Sequence, residues 1–224
     1  MKYWKFRTLG KGYANELNIP FAERDAVLFR DLPSFKYRYS FYDSDIILED
    51  VTLEKGSTDV SFIFGEFEYG GLGSFMSKEA VLVFKEFNLP ANELLDVNVK
   101  FEGNIPLSDN YKWVHFIFED ISKLINFDKS VILTEEGRLI KTLEEFTDFE
   151  FSVSCDNKFN KIAFTCNFQD YKGGDFLSIP GLGGYWVSDC LKNSIEKANL
   201  SGYIPFNDSD VIEVLFNNEK IGCL

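Results

Sequence analysis

Apolar and polar positions alternate with the two-residue period of a β-strand through much of the chain. Tyr3, Lys5 and Arg7 interleave with Trp4, Phe6 and Thr8, and Phe35 to Tyr42 alternates aromatics with Lys36, Arg38 and Ser40. Ile46 to Leu53 and Val60 to Phe67 are further strand candidates, broken by Lys55-Gly56 and Gly65. Ala26 to Leu32 is apolar but has no period that chooses between helix and strand, and Pro33 stops it. Later strands are expected at Val97 to Phe101, Tyr111 to Phe118, Val131 to Thr134, Phe149 to Ser154, Ile162 to Phe168 and Val211 to Phe216. Tyr111 to Phe118, YKWVHFIF, is the most apolar of them and is expected in the middle of a sheet. Glu119 to Ser130 reads as a helical turn, Asp170 to Gly174 as a loop, and Asn217 to Leu224 as a fraying end.

At two places the period lengthens to that of a helix. Ser188 stands after a glycine-rich turn and two aromatics, and Leu191, Ile195 and Ala198 follow at helical spacing before Ser201-Gly202 breaks the pattern ahead of a strand from Tyr203 to Phe206. A serine hydroxyl accepts from the free amides of a first turn, and Asp189 adds negative charge at the positive end of the helix dipole. Ser77 to Phe87 repeats the design, with Ala80, Phe84 and Phe87 as the apolar stripe and Pro90 beyond it. Aligning Ser77 with Ser188 also brings Gly70 onto Gly181, Phe75 onto Trp186 and Leu89 onto Leu200. The pattern predicts an α+β protein, mainly antiparallel β-sheet with a few short helices packed on it. An internal pseudo-repeat is one reading of the two serine-capped units. The chain reads as one globular unit over 1–224, or as sub-halves of about 1–108 and 109–224.

Composition narrows the partners more than the fold. The net charge is −13, which opposes binding to nucleic acid phosphates or anionic membrane surfaces and would draw in a protein with a basic face. Solubility alone is the plainer account of the same charge. No apolar run approaches the roughly 20 residues of a membrane helix, and MKYWKFRT alternates rather than forming a signal core, so a soluble cytoplasmic protein is expected. Cys155, Cys166, Cys190 and Cys223 form no CxxC pair, and in that compartment reduced, mostly buried thiols are expected over disulfides.

The motifs of common chemistries are missing from the sequence. It has no GxSxG, no P-loop and no HExxH. Gly181-Leu182-Gly183-Gly184 lacks the Lys-Ser/Thr of a phosphate loop, and scattered Cys and His ligands do not suggest zinc. His115, the only histidine, lies inside a strand and is expected to be a hydrogen-bonded core or groove residue. No catalytic residue, cofactor or metal is therefore expected.

SKEAVLVFKEFNLP, VNVKFEGNIPL, YKWVHFIFEDISKLINFDKSVI and GYWVSDCLKNSIEKANLSGYIPF, in that order, resemble a family of bacterial proteins grouped with the immunity proteins of polymorphic toxin systems. The resemblance covers about residues 70 to 207 and rests on Ser77, Leu89, the strand before Asp120, Asp128-Lys129-Ser130, Ser188, Leu191, Leu200, Gly202 and Phe206. It implies binding and neutralising a cognate toxin rather than catalysis. Such a toxin would offer a basic cleft, and the expected partner-binding residues are Glu66, Glu68 and Tyr69, or Glu144, Glu145 and Asp148, with Trp186 as an aromatic anchor. The alternative is an enzyme or small-ligand binder that sets Trp113, Tyr185 and Trp186 beside scattered carboxylates.

Overall fold

The computed structural model describes residues 1–7, 22–24, 51–53, 61–63, 74–96, 99–101, 105–107, 111–134, 136–152, 159–166, 174–179, 185–208 and 210–216. These carry mixed α and β structure, mainly sheet. The strands are β1 (Lys2–Phe6), β2 (Ala22–Arg24), β3 (Val51–Leu53), β4 (Phe62–Ile63), β5 (Ser74–Ser77), β6 (Ala91–Asp96), β7 (Val99–Phe101), β8 (Ile105–Leu107), β9 (Tyr111–Ile117), β10 (Val131–Thr134), β11 (Phe159–Cys166), β12 (Phe176–Ser178), β13 (Tyr185–Ser188) and β14 (Val211–Phe216). The α-helices are α1 (Lys78–Lys85), α2 (Leu143–Ser152) and α3 (Asp189–Lys197), with a 3-10 turn at Ile121–Leu124. Three sheets run in the orders β10-β11-β14-β1-β13-β12, β2-β3-β7-β8 and β4-β5-β9-β6. Among the described residues, the pairings are antiparallel except β11 with β14 and β3 with β7.

The contacts divide the chain into two compact units. One takes Met1–Phe6, Glu119–Asn193 and Pro205–Leu224, and the other takes Arg7–Phe118 and Ser194–Ile204. The main boundary thus falls at 118/119, and the N-terminal strand belongs with the C-terminal half of the sequence. The register explains this, because β1 lies between β13 and β14 and pairs Tyr3 with Ser188 on one side and with Ile212 on the other.

In the first unit, Tyr3, Ile132, Leu177, Trp186, Ile212 and Val214 form one buried layer with Ile121, Ile125, Ile140 and Phe146. In the second, β9 is buried along nearly its whole length between β5 and β6, as its apolar run requires. Trp113 packs against Phe75 at 4.7 Å, and Phe62 against Phe84 at 5.8 Å, which ties α1 to the sheet edge at β4.

Both serine caps form as expected. The Ser77 hydroxyl accepts from the amide of Ala80 at 3.1 Å, and that of Ser188 from Leu191 at 3.2 Å. Ala80, Phe84, Leu191 and Ile195 are buried, while Phe87 and Ala198 are half-buried. The two serine-capped segments share an order of connections. In each sheet a strand ending in serine leads through a helix to a strand two places away, with β9 or β1 inserted between, and β4 or β12 pairs on the outer side.

Several expectations need correction. Phe149 to Ser154 is not a strand; Leu143–Ser152 is helical, because Phe146 and Phe149 at i, i+3 meet the core and Thr142 caps the turn. The strand expected at Val97 to Phe101 is present as β7 over its described residues, but β6 before it was not expected, because the polar sequence ANELLD hides it. Tyr203 to Phe206 forms no strand. Cys190 is disulfide-bonded rather than a free thiol. Sequence spacing does not reveal thiols that tertiary folding brings together. The expected elements at 26–32 and 35–42, the glycine turns at 70–73 and 181–184 and the end at 217–224 lie outside the described residues.

Candidate functional site

The predicted acidic cluster at 144–148 lies on the first two turns of α2. A tight hairpin precedes it: Gly137 donates to the Thr134 carbonyl, and Thr134 and Arg138 join through their backbones at 2.9 Å, with Gly137 at φ +81°. Thr142 then caps α2, its Oγ1 accepting from the amide of Glu145 at 3.1 Å. The Glu145 carboxylate reaches back to accept from the amide of Lys141 at 2.7 Å and lies 3.7 Å from the Arg138 guanidinium. This is close to a capping box, with the reach one residue longer.

The three acids therefore have different jobs. Glu145 is committed to the helix start. Glu144 and Asp148 are exposed, four residues apart on one face, turned away from the buried Phe146. A negative charge on the first turn is favoured by the helix dipole, which accounts for Glu144. It does not account for Asp148 a turn further on, where a like charge at i, i+4 costs a few tenths of a kcal/mol. A basic partner surface would relieve that repulsion.

Trp186 is 4% exposed in the core of its unit, with the Lys5 ammonium 5.7 Å from its ring, so it cannot serve as a surface anchor. Its indole N–H has no hydrogen-bond partner among the described residues, a place suited to a buried water. Trp113 is likewise core, and Tyr185 is half-buried with its ring 5.1 Å from Phe176. Glu66, Glu68 and Tyr69 lie outside the described residues.

A different aromatic group was missed from sequence. Trp4 on β1 donates its indole N–H to the Asp189 carboxylate, and the Lys192 ammonium sits 4.8 Å from the Trp4 ring and 5.5 Å from that of Phe206. Asp189 and Lys192 are three apart on α3, so both reach one neighbour. Trp4, Lys192 and Phe206 are all half-buried, and the arrangement locks α3 against β1. The strand alternation that places Trp4 on the opposite face from Tyr3 was the available signal.

His115 is fully buried on β9, its Nδ1 3.0 Å from a Glu93 carboxylate oxygen directly across on β6. So enclosed, the imidazole ties β9 to β6 through Glu93. Asp120 is raised by burial, but hydrogen bonds from Ser122 and Lys123 outweigh this and hold its carboxyl below the usual range. Among the described residues no three His, Cys, Asp or Glu side chains gather as a metal site, and no helix is long and apolar enough to cross a membrane. In comparison with known proteins, no family model matches the chain and no curated protein matches it.

Proposed function

We propose that this protein is an immunity protein that binds a co-encoded bacterial toxin directly and neutralises it. The observation that carries the reading is the net charge of −13 together with the exposed pair Glu144 and Asp148, a polar face suited to a basic cleft such as a nuclease uses to hold phosphates. The resemblance quoted above supports it on residues 70 to 207 alone. Occupation of phosphate subsites by carboxylates would block the toxin without any chemistry on the inhibitor.

The proposed compartment is the cytoplasm, on the same resemblance. A Cys190 disulfide that forms in cells favours an oxidising compartment instead, and fractionation with thiol labelling separates the two. The function is tested by co-expression with the toxin encoded beside it. Survival and a stoichiometric complex are expected; toxicity unchanged by co-expression overturns the proposal. Reversing Glu144 and Asp148 to Lys should slow association about tenfold at low salt and much less at 0.5 M salt, on the order expected for steering by exposed charges. Equal association rates at both salt concentrations would remove α2 from the interface.

A further inference from the structure

Cys190, the second residue of α3, is half-buried and disulfide-bonded. The other cysteines of the chain are Cys155, Cys166 and Cys223, and a disulfide requires Cα atoms within about 7 Å of each other. The six-stranded sheet limits which of them can come so close. Cys190 is two residues beyond Ser188, so its Cα lies within about 7 Å of that of Ser188. Cys166 ends β11 opposite Phe216, and β11 is three strands from β13 in the order β11-β14-β1-β13, a lateral separation of about 14 Å. Along the strands, Ser188 is level with Tyr3, Glu213 with Lys2 and Cys166 with Phe216, which sets Cys166 four residues, or about 13 Å, from Ser188. The total of about 19 Å is not closed by two residues of chain, so Cys166 is out of reach. The chain before Cys155 leaves from the wrong face. Cys155 is three residues beyond α2, which packs through Phe146 on the face of Tyr3 and Ile212, whereas α3 starts on the opposite face, where Asp189 and Lys192 both meet Trp4. Helix axes on the two faces of a sheet are about 20 Å apart, and three residues span about 10 Å.

Cys223 has the reach that the other two lack. β14 ends at Phe216, two strands from β13 and about 16 Å from Ser188 by the same measure, and the seven residues from Phe216 to Cys223 span up to about 23 Å. We propose that Cys190 and Cys223 form the disulfide, a redox-sensitive clasp that ties the chain after β14 to the start of α3. Closing it removes two protons and two electrons from the two thiols, and a small-molecule disulfide such as oxidised glutathione takes them up as it becomes two thiols. The clasp acts on the tail rather than on the helix, because the residues around Cys190 are held without it. The Ser188 hydroxyl donates to the Asp175 carboxylate at 2.6 Å and accepts from the Leu191 amide at 3.2 Å. Leu191 is fully buried, Asp189 accepts from the Trp4 indole, and the Lys192 ammonium lies 4.8 Å from the same ring. Reduction therefore undoes the tether beyond Phe216 and leaves the first turn of α3 in place.

Trypsin separates the four cysteines, leaving Cys155 in peptide 142–158, Cys166 in 162–172, Cys190 in 173–192 and Cys223 in 221–224. The full chain is equilibrated with oxidised glutathione, alkylated, digested without reduction and read by mass spectrometry. A linked pair of 173–192 with 221–224 is expected, with Cys155 and Cys166 alkylated. Linkage of 173–192 to either of the other peptides, or Cys190 left as a thiol or as a mixed disulfide with glutathione, would overturn the proposal. In the variants, Cys223→Ser should abolish the link at Cys190, while Cys155→Ser and Cys166→Ser should keep it; a link that survives Cys223→Ser sinks the assignment. Hydrogen exchange then tests the division between tail and helix. Reduction of the full chain should leave exchange at the Leu191 amide unchanged, and faster exchange there would show that the bond holds the helix and not the tail alone.

Discussion

Replacing Gly202 with Ala tests how closely the end of α3 is fitted to the sheet of its unit. The helix closes with Asn199 in the left-handed region at φ 51° and the Leu200 amide bonded to the Ile195 carbonyl at 3.2 Å, a Schellman-type end. The chain then meets β4. The Phe62 amide donates to the Ser201 carbonyl at 3.0 Å, the Ser61 amide to the Ser201 hydroxyl at 3.3 Å, and the Ser201 amide to the Ser61 hydroxyl at 3.1 Å. Gly202 itself has φ +89°, and a Cβ there would lie 2.1 Å from the Phe62 carbonyl oxygen. The left-handed backbone costs a non-glycine residue about 1–2 kcal/mol. Relieving the overlap moves backbone by about an ångström in a close-packed interior and sacrifices the three Ser61–Phe62–Ser201 bonds, at about 1 kcal/mol net for each. The expected loss is about 4–5 kcal/mol, a large part of the roughly 5–15 kcal/mol of a typical domain. Gly137→Ala is the control, because its φ of +81° carries the same backbone cost with nothing within 4 Å of the added carbon. Urea unfolding of both variants gives the comparison. If Gly202→Ala and Gly137→Ala lose stability equally, contact with Phe62 is not what requires glycine and the reasoning fails.

Leu191→Ala should lose about 2–5 kcal/mol in the same urea assay, since the side chain is fully buried where α3 begins; a loss below about 1 kcal/mol would mean that the helix is not anchored there. Tyr203 is held above the usual phenol range, first by burial and then by the nearby Glu196 carboxylate. A raised folded pKa gives stability that is complete below about pH 10 and is lost as pH climbs through the folded value. Tyr203→Phe should therefore narrow the fall in urea midpoint between pH 9 and pH 11, and identical falls in the two proteins would refute the assignment.

Elements whose pattern and packing agree were legible in the sequence. Ser77 and Ser188 announced their helices because the cap and the apolar stripe are both local, and YKWVHFIF announced an interior strand because burial on both faces needs an unbroken apolar run. The helix α2 was misread although its signals were present. Thr142 followed three residues later by Glu145 is a helix-start signature, but the aromatics Phe149 and Phe151 gave the stretch the look of a strand. The strand β6 was missed because its mostly exposed residues have no apolar alternation to display. The Trp4 lock and the Cys190 disulfide join residues far apart in sequence, and local pattern does not carry such pairings.

The same distinction decides what a surplus of acid means. Counted from sequence, 36 acidic residues look like one undivided negative surface. The fold sorts them by environment. Glu93 is bound to His115, Asp96 to Lys112, Asp120 to Ser122 and Lys123, Glu145 to the start of α2, Asp175 to the Ser188 hydroxyl and Asp189 to the Trp4 indole. Removing Glu93, Asp175 or Asp189 takes a hydrogen bond from the buried His115, the buried Ser188 hydroxyl or the half-buried Trp4 indole, so those changes are read first in stability, whereas the exposed Asp96–Lys112 pair contributes little. Glu144 and Asp148 stand on an exposed helix face where the dipole and the capping network explain one charge and leave the other without an internal reason. A charge that does nothing for the fold is the kind whose reversal changes association while stability holds, and that separation makes the α2 face the part of the acidic surface on which the proposed toxin contact is best judged.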